Sequence, residues 1–273
     1  MVKMTPSKPI LGQLSMELRR IITRSLNDLE AFKGNIFIAM KGELPRSLIV
    51  ISSGAGDGRT VITGCLGYAL SRSQKILLID SCLEKPRLHE LFNLPRSPGL
   101  TDYLNNRLSL DSVVQFTELP HVQVLTAGSP MASGSSLSTS MGRTVEQSQT
   151  KEKLKSVLSS SIGGLLADFR QQPQVATQAA DISFDQRFSE LILLARNSWD
   201  CVICDSSPYL GPSDAPFLAR HFEGALLVIN SHRTRYQIAR LVVERFTAAQ
   251  GRLVGVILNR RRYYIPSWFY RFL

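Results

Sequence analysis

Residues 48–60 read LIVISSGAGDGRT: an apolar run, a glycine-rich loop and the start of a helical pattern. The β-branched run has the length and composition of a buried strand. Gly54, Gly56 and Gly58 follow it at once. Where a strand leads through such a loop into a helix, backbone N–H groups and the helix N-terminus point at the oxygens of a phosphate. The stretch therefore predicts a phosphate-binding loop over residues 54–60.

The loop departs from the common phosphate-loop pattern G-x-x-x-x-G-K-[ST]. Ser53 stands at the first glycine and Arg59 at the lysine, whereas Gly58 and Thr60 agree with the pattern. An ordinary strand-to-helix turn is the alternative, although three glycines in five residues directly before a helix suit phosphate contact better. The residues that we expect to bind the nucleotide are Gly54, Gly56, Asp57, Gly58, Arg59 and Thr60.

Short apolar, β-branched runs alternate with helix-length segments along the chain. Strands that are buried on both faces have this continuous apolar pattern, and their alternation with helices is typical of an α/β fold. We therefore predict a doubly wound, mainly parallel sheet. The predicted strands are 47–52, 75–80, 122–127, 201–205, 224–230 and 253–258, and the predicted helices are 16–32, 60–71, 184–197 and 234–249.

Two aspartates end predicted strands, Asp80 in LLID and Asp205 in VICD. The carboxyl ends of the strands form the edge at which a doubly wound sheet binds ligands. We expect Asp205 to hold Mg²⁺ through water, Asp80 to be a second carboxylate on the same ion, and the hydroxyl of Thr60 to be a ligand as well. A helix N-cap is the alternative role for each aspartate.

The chain of 273 residues carries 32 Lys and Arg against 22 Asp and Glu, a formal charge of +10. Such a charge favours an anionic partner: nucleotide phosphate, nucleic acid or an acidic membrane surface. A nucleic-acid reading module is not recognisable, so we expect no nucleic-acid partner. Neither a membrane-spanning run nor a signal peptide is apparent, which predicts a cytoplasmic protein.

The cysteine pattern indicates a structural role. Cys201 and Cys204 have C-x-x-C spacing, but a strand sends residues i and i+3 to opposite faces. A shared metal or a redox disulfide is therefore not expected, and buried thiols in a reducing compartment are.

Two segments interrupt the alternating pattern. Residues 129–183 are rich in Ser, Gln and Thr and predict a flexible insertion, in which 154–169 have the apolar spacing of one amphipathic helix. This helix packs on its own domain or docks on a partner or membrane. Residues 260–273 interleave arginines with aromatic side chains, which is typical of a partner groove or an interfacial anchor, while packing back on the domain is the alternative.

Three longer stretches carry a family resemblance. KILLIDSCLEKPRLHELFNLPRSPGLTDYL (75–104) resembles the Walker A′ region of bacterial tyrosine kinases of the capsule and exopolysaccharide family. CVICDSSPYLGPSDA (201–215) is similar to its Walker B region, and LVGVILNRRR (253–262) to its last strand. The resemblance implies a P-loop kinase-like domain over 1–273, with ATP or ADP and Mg²⁺ as cofactors and Asp80 and Asp205 as catalytic carboxylates.

The same resemblance implies assembly and phosphorylation sites. The family's oligomerisation motif E-x-x-R-x-x-R is half kept in an N-terminal helix over 14–32, since Glu17 and Arg20 match but Thr23 replaces the second arginine. The family's C-terminal phosphoacceptor cluster would be Tyr263, Tyr264 and Tyr270.

The sequence departs from the family at positions that are expected to take part in phosphoryl transfer. Arg59 replaces the lysine, and a planar guanidinium cannot sit where a compact ammonium bridges phosphates. Cys82 stands where the family has a second Asp, and Glu84 reverses a charge nearby. These changes predict nucleotide binding with slow or absent phosphoryl transfer.

The expected function is thus a tyrosine-kinase-like component of exopolysaccharide or capsule synthesis and export that regulates a membrane co-polymerase or chain-length regulator. Weak autophosphorylation, a pseudokinase scaffold and a partition-type P-loop ATPase are the alternatives. We expect a homo-oligomer that is peripheral at the inner membrane through its partner, with an acidic membrane surface as a second contact.

Overall fold

The computed structural model describes residues 14–105, 108–130, 175–210 and 215–260, with side chains from residue 185 in the third range. Its helices are α1 (Met16–Arg24), α2 (Leu26–Ala39), α3 (Arg59–Ser71), α4 (Leu88–Leu91), α5 (Leu100–Leu104), α6 (Leu110–Val113), α7 (Val175–Ser198), α8 (Ala215–Leu218) and α9 (Tyr236–Ala248). Its strands are β1 (Ser47–Ser52), β2 (Ile76–Asp80), β3 (Val114–Phe116), β4 (Val122–Leu125), β5 (Cys201–Asp205), β6 (Gly224–Asn230) and β7 (Leu253–Asn259).

The strands form one sheet in the order β3-β4-β2-β5-β1-β6-β7. All neighbours are parallel except β3, which runs antiparallel to β4. Side chains of β1, β2 and β5 are buried throughout, because helices cover both faces of the sheet. The predicted α/β fold with a mainly parallel sheet is confirmed.

Successive residues of each central strand enter opposite cores, as strand geometry requires. In β2, Leu78 packs on the side of α1, α2 and α3, while Leu77 packs on the side of α7 and α9. Cys201 and Cys204 likewise lie in different cores, so the prediction that they do not face one another is confirmed.

The N-terminal helix prediction was wrong in its bounds. The helix expected over 14–32 is two helices, which meet at Ser25 and continue to Ala39. Gly34 lies inside α2 and does not end it, since an apolar stripe of Leu29, Phe32, Ile36 and Met40 keeps helical spacing across it and packs on the core. Burial of that stripe outweighs the helix-breaking tendency of one glycine.

A carboxylate fixes the chain where it leaves the sheet after β4. Asp102 Oδ2 accepts hydrogen bonds from Ser97 Oγ at 3.1 Å, Gly99 N–H at 2.9 Å and Ser129 N–H at 3.1 Å. Burial would raise the pKa of Asp102, but these hydrogen bonds prevail and lower it. We call this arrangement the Asp102 clamp.

Several expectations fall outside the described residues. These are the amphipathic helix at 154–169 and the tail at 261–273 with Tyr263, Tyr264 and Tyr270. The helix expected at 184–197 is α7, which begins earlier, at Val175. The flexible insertion expected over 129–183 was therefore wrong in its C-terminal bound, because residues 175–183 are helical, and most of the rest lies outside the described residues. In the described ranges, none of the helices is both long and apolar enough to span a bilayer.

Candidate functional site

The glycine-rich loop between β1 and α3 is held from inside by the carboxylate of Asp57. Its Oδ2 accepts hydrogen bonds from Ser53 Oγ and from the N–H of Gly54, both at 2.8 Å. Asp57 is buried, whereas the loop tip at Gly56 is exposed. Asp57 therefore shapes the loop, and its carboxylate is not a surface that meets an anion.

Position 58 requires glycine for two reasons, its backbone conformation and the closeness of a neighbouring side chain. Its φ is +92°, a left-handed conformation that side chains disfavour. A Cβ there would lie 2.1 Å from Asn259 Nδ2, which donates a hydrogen bond of 2.8 Å to the carbonyl oxygen of Asp57. Asn259 was not predicted as a site residue, although this residue ends the LVGVILN run that carried part of the resemblance.

Arg59 begins α3 and turns into the sheet edge. Its Nε donates to Asp205 Oδ1 at 2.7 Å and its Nη1 to Ser52 Oγ at 2.9 Å. The side chain is 8% exposed and that of Asp205 is fully buried. Burial alone would lower the pKa of Arg59, but Asp205 and neighbouring acidic groups raise it, so the guanidinium stays charged. Sequence reasoning noted the missing lysine but not this ion pair.

Asp80 and Asp205 lie side by side, as neighbours in register at the ends of β2 and β5. Asp80 accepts hydrogen bonds from the backbone N–H groups of Cys82, Arg87 and Leu88 at 3.1, 3.2 and 3.0 Å. Burial and the adjacent Asp205 raise the pKa of Asp80 to about 7, although the hydrogen bonds from Leu88 and Cys82 and the charge of Arg59 oppose the rise. The structure thus brings both predicted carboxylates to one edge.

One carboxylate oxygen at this edge is orphaned. Asp205 Oδ2 is buried and has no hydrogen-bond partner among the described residues. An unsatisfied anionic oxygen of this kind fits a hydrated Mg²⁺ ion, which takes few protein ligands and uses water and phosphate for the rest. Clusters of three or more His, Cys, Asp or Glu that would hold a metal unaided do not occur in the described parts of the chain.

The loop opens on a cleft of about 290 Å³. Ser52, Cys82 and Ser207, which lie at or just after the ends of β1, β2 and β5, line this cleft, whereas Asp80 and Asp205 are fully buried and do not. Its basic side chains are Lys85, Arg87 and Arg260, in addition to Arg59, and Thr60, Cys82 and Glu17 also line it. Glu17 of the predicted oligomerisation motif is 3.9 Å from Arg87, while Arg20 is exposed and does not line the cleft. Glu84 lines the cleft as well, so acidic side chains accompany the basic ones. The N–H groups of the loop, with these basic side chains, are suited to a polyanion such as a nucleotide phosphate chain.

Comparisons with known proteins place this site in context. No protein-family model matches the chain. "Tyrosine-protein kinase YwqD" of Bacillus subtilis is 24% identical over 242 residues, 88% of this chain and 83% of the relative. "Tyrosine-protein kinase ptk" of Acinetobacter johnsonii is 27% identical over 215 residues. The homologues of this chain are bacterial tyrosine-protein kinases.

Solved structures agree with that relationship. The VpsO kinase domain superposes on 91% of the chain with a TM-score of 0.64 and 25% identity. MinD from Pyrococcus horikoshii, crystallised with Mg-ADP, shares the fold with a TM-score of 0.54 and 18% identity. The match covers 78% of this chain but only 23% of the Acinetobacter kinase, so the relatives differ widely in what surrounds the shared part.

Proposed function

We propose that the chain is a nucleotide-binding, tyrosine-kinase-like component of bacterial exopolysaccharide or capsule synthesis and export. The observation that carries the proposal is the glycine-rich loop, which opens on a cleft at the carboxyl ends of the strands, where Asp80 and Asp205 end neighbouring strands β2 and β5. Kinase homologues, among them a putative tyrosine-protein kinase in the cps region of Klebsiella pneumoniae, support the choice of process.

In this proposal the loop residues 54–60 bind the phosphates of ATP or ADP through backbone N–H groups. Thr60 and the orphaned oxygen of Asp205 would hold Mg²⁺, with Asp80 beside them as the second catalytic carboxylate. When bound, the ion neutralises charge that develops on the phosphoryl oxygens. The residues of the loop position the phosphates.

We further propose that phosphoryl transfer is weak at most, with Tyr263, Tyr264 and Tyr270 as acceptors. Arg59 is engaged with Asp205 and Ser52, so its charge is directed away from the open side of the loop. Cys82, in the position where the resemblance expects an aspartate, has its thiol pKa raised by burial and offers no anion to a tyrosine hydroxyl. Both features equally favour a pseudokinase scaffold.

Labelled ATP with Mg²⁺, followed by mapping of phosphotyrosine on the full chain, tests the kinase proposal. We expect slow labelling that disappears when Tyr263, Tyr264 and Tyr270 are all replaced by Phe. Tyr236→Phe is the matched control, because this side chain is 74% exposed and lies outside the cleft. Nucleotide binding without any phosphotyrosine would favour the scaffold.

The partition-type ATPase is the second candidate because the fold is shared with MinD. Phosphate release that proceeds without phosphotyrosine, and that is stimulated by acidic vesicles, would favour it over the kinase.

We propose that the chain regulates a membrane co-polymerase and lies at the inner membrane through that partner. We also propose that it forms a homo-oligomer through the helix that bears Glu17 and Arg20. Co-purification with the co-polymerase tests the first of these. Sedimentation of the wild type against a Glu17→Ala, Arg20→Ala variant tests the second.

A further inference from the structure

The buried ion pair between Arg59 and Asp205 changes what a metal ion can contribute at this edge. Asp80 and Asp205 together present four carboxylate oxygens. Backbone N–H groups occupy both oxygens of Asp80, and Arg59 occupies one of Asp205, so Asp205 Oδ2 alone has no partner in the described structure. Most of the hydrogen-bonding capacity that a cation or its water shell would use is already taken.

The charge on Asp205 is also already balanced. A buried carboxylate must be compensated, by a metal or by a cationic side chain, because its desolvation is otherwise costly. Arg59 supplies a full positive charge at 2.7 Å, and its second hydrogen bond, to Ser52, fixes the plane of the guanidinium. Arginine suits this arrangement because its rigid, planar fork presents several donors in fixed directions, whereas an ammonium is a point charge on a flexible stem.

The cleft has its own cations for a phosphate chain. Lys85 and Arg260 line it beside Arg87, which is ion-paired with Glu90, and Glu17 and Glu84 line it too. Arg233 Nη1 lies 3.6 Å from where a side chain on Gly56 would begin. Lys85, Arg260 and Arg233, with the N–H groups of the loop, are placed where they could balance phosphate charge that a bound metal would otherwise neutralise.

We propose that Arg59 takes over the charge-balancing role of a divalent cation at Asp205, so that the cleft binds a metal-free nucleoside di- or triphosphate nearly as tightly as its magnesium complex. The inference rests on the proposed nucleotide site and adds to it a statement about the ionic form of the ligand. Mg²⁺ that arrives with the nucleotide then contributes to its chemistry but little to its affinity.

Calorimetric titration of the full chain with ADP and ATP, once with Mg²⁺ and once with EDTA, tests the proposal. We expect the wild-type Kd to differ by less than about threefold between the two conditions, well below the tenfold that corresponds to about 1.4 kcal/mol. Binding that appears only with Mg²⁺ would overturn the inference and leave the nucleotide site standing. Absence of binding in both conditions would refute the proposed function itself.

The variant Arg59→Gln assigns the effect to the ion pair. It removes the charge that balances Asp205, so EDTA should now weaken binding by about tenfold or more. Arg72→Gln is the matched control, because Arg72 lies at the far end of the same helix in an exposed ion pair with Glu30. If Arg59→Gln remains as insensitive to EDTA as the wild type, Arg59 is not the cause. The wild-type titration decides the main point even if this variant does not fold.

Discussion

Replacing Gly58 by alanine would test whether the loop is built as the structure indicates. The left-handed backbone at Gly58 costs an L-residue about 1–2 kcal/mol. The added Cβ would also displace Asn259, whose amide lies 2.1 Å from that position, and break its hydrogen bond to the loop, worth about 1 kcal/mol. We expect Gly58→Ala to lower the free energy of unfolding by roughly 2–3 kcal/mol.

Urea unfolding followed by circular dichroism measures this change, and a matched glycine calibrates it. Gly34 lies in the interior of α2, and no neighbouring atom outside the helix backbone comes within 4 Å of where its Cβ would lie, so Gly34→Ala should stabilise the protein by up to about 1 kcal/mol. In an Asn259→Ala background, Gly58→Ala should cost about 1 kcal/mol less, because only the backbone strain remains. Equal effects of Gly58→Ala and Gly34→Ala, or no coupling to Asn259, would refute the reasoning.

Three further outcomes are expected. Gly99→Ala places a Cβ 2.3 Å from the carbonyl oxygen of Thr126. This overpacking against backbone should lower the free energy of unfolding by about 1–3 kcal/mol, which urea unfolding would show as a lower midpoint. Asp185 has its pKa lowered: burial opposes this, but hydrogen bonds from Arg220 and His221 prevail. The wild type should therefore be more stable than Asp185→Asn at neutral pH, by at most about 1 kcal/mol in the free energy of unfolding. This difference should vanish as the pH falls below 3.8, the ordinary pKa of Asp, and denaturant unfolding at neutral pH and at a pH well below 3.8 measures it. All four cysteines are buried with raised thiol pKa values, so an alkylating reagent followed by mass spectrometry should modify them fully only in denaturant.

The central sheet could be predicted from sequence because its strands are buried on both faces. The bounds expected for β1, β5 and β6 agree with the structure residue for residue. β3 was missed, since it has three residues and its Phe116 is 79% exposed, so it carries no periodic signal. The break between α1 and α2 was missed as well, because Ser25 interrupts a pattern that looks helical throughout.

The candidate site was predictable in its members but not in its geometry. Glycine spacing located the loop, and strand ends located Asp80 and Asp205, because both follow from local pattern and sheet topology. The direction of the Arg59 side chain depends on a carboxylate 146 positions away in sequence, and the role of Asn259 on a loop 202 positions away. Contacts between residues so far apart in sequence cannot be predicted from the local sequence pattern around either residue.

The Asp102 clamp joins two parts of the chain that are distant in sequence. One carboxylate oxygen accepts hydrogen bonds from the N–H of Gly99 and from the N–H of Ser129, at the start of the segment after β4. A side chain at Gly99 or Gly128 would disturb this arrangement, because its Cβ would lie within 3 Å of neighbouring atoms. The chain therefore leaves β4 at a fixed point, and the position of this strand in the sheet does not depend on the length of chain that follows Ser129.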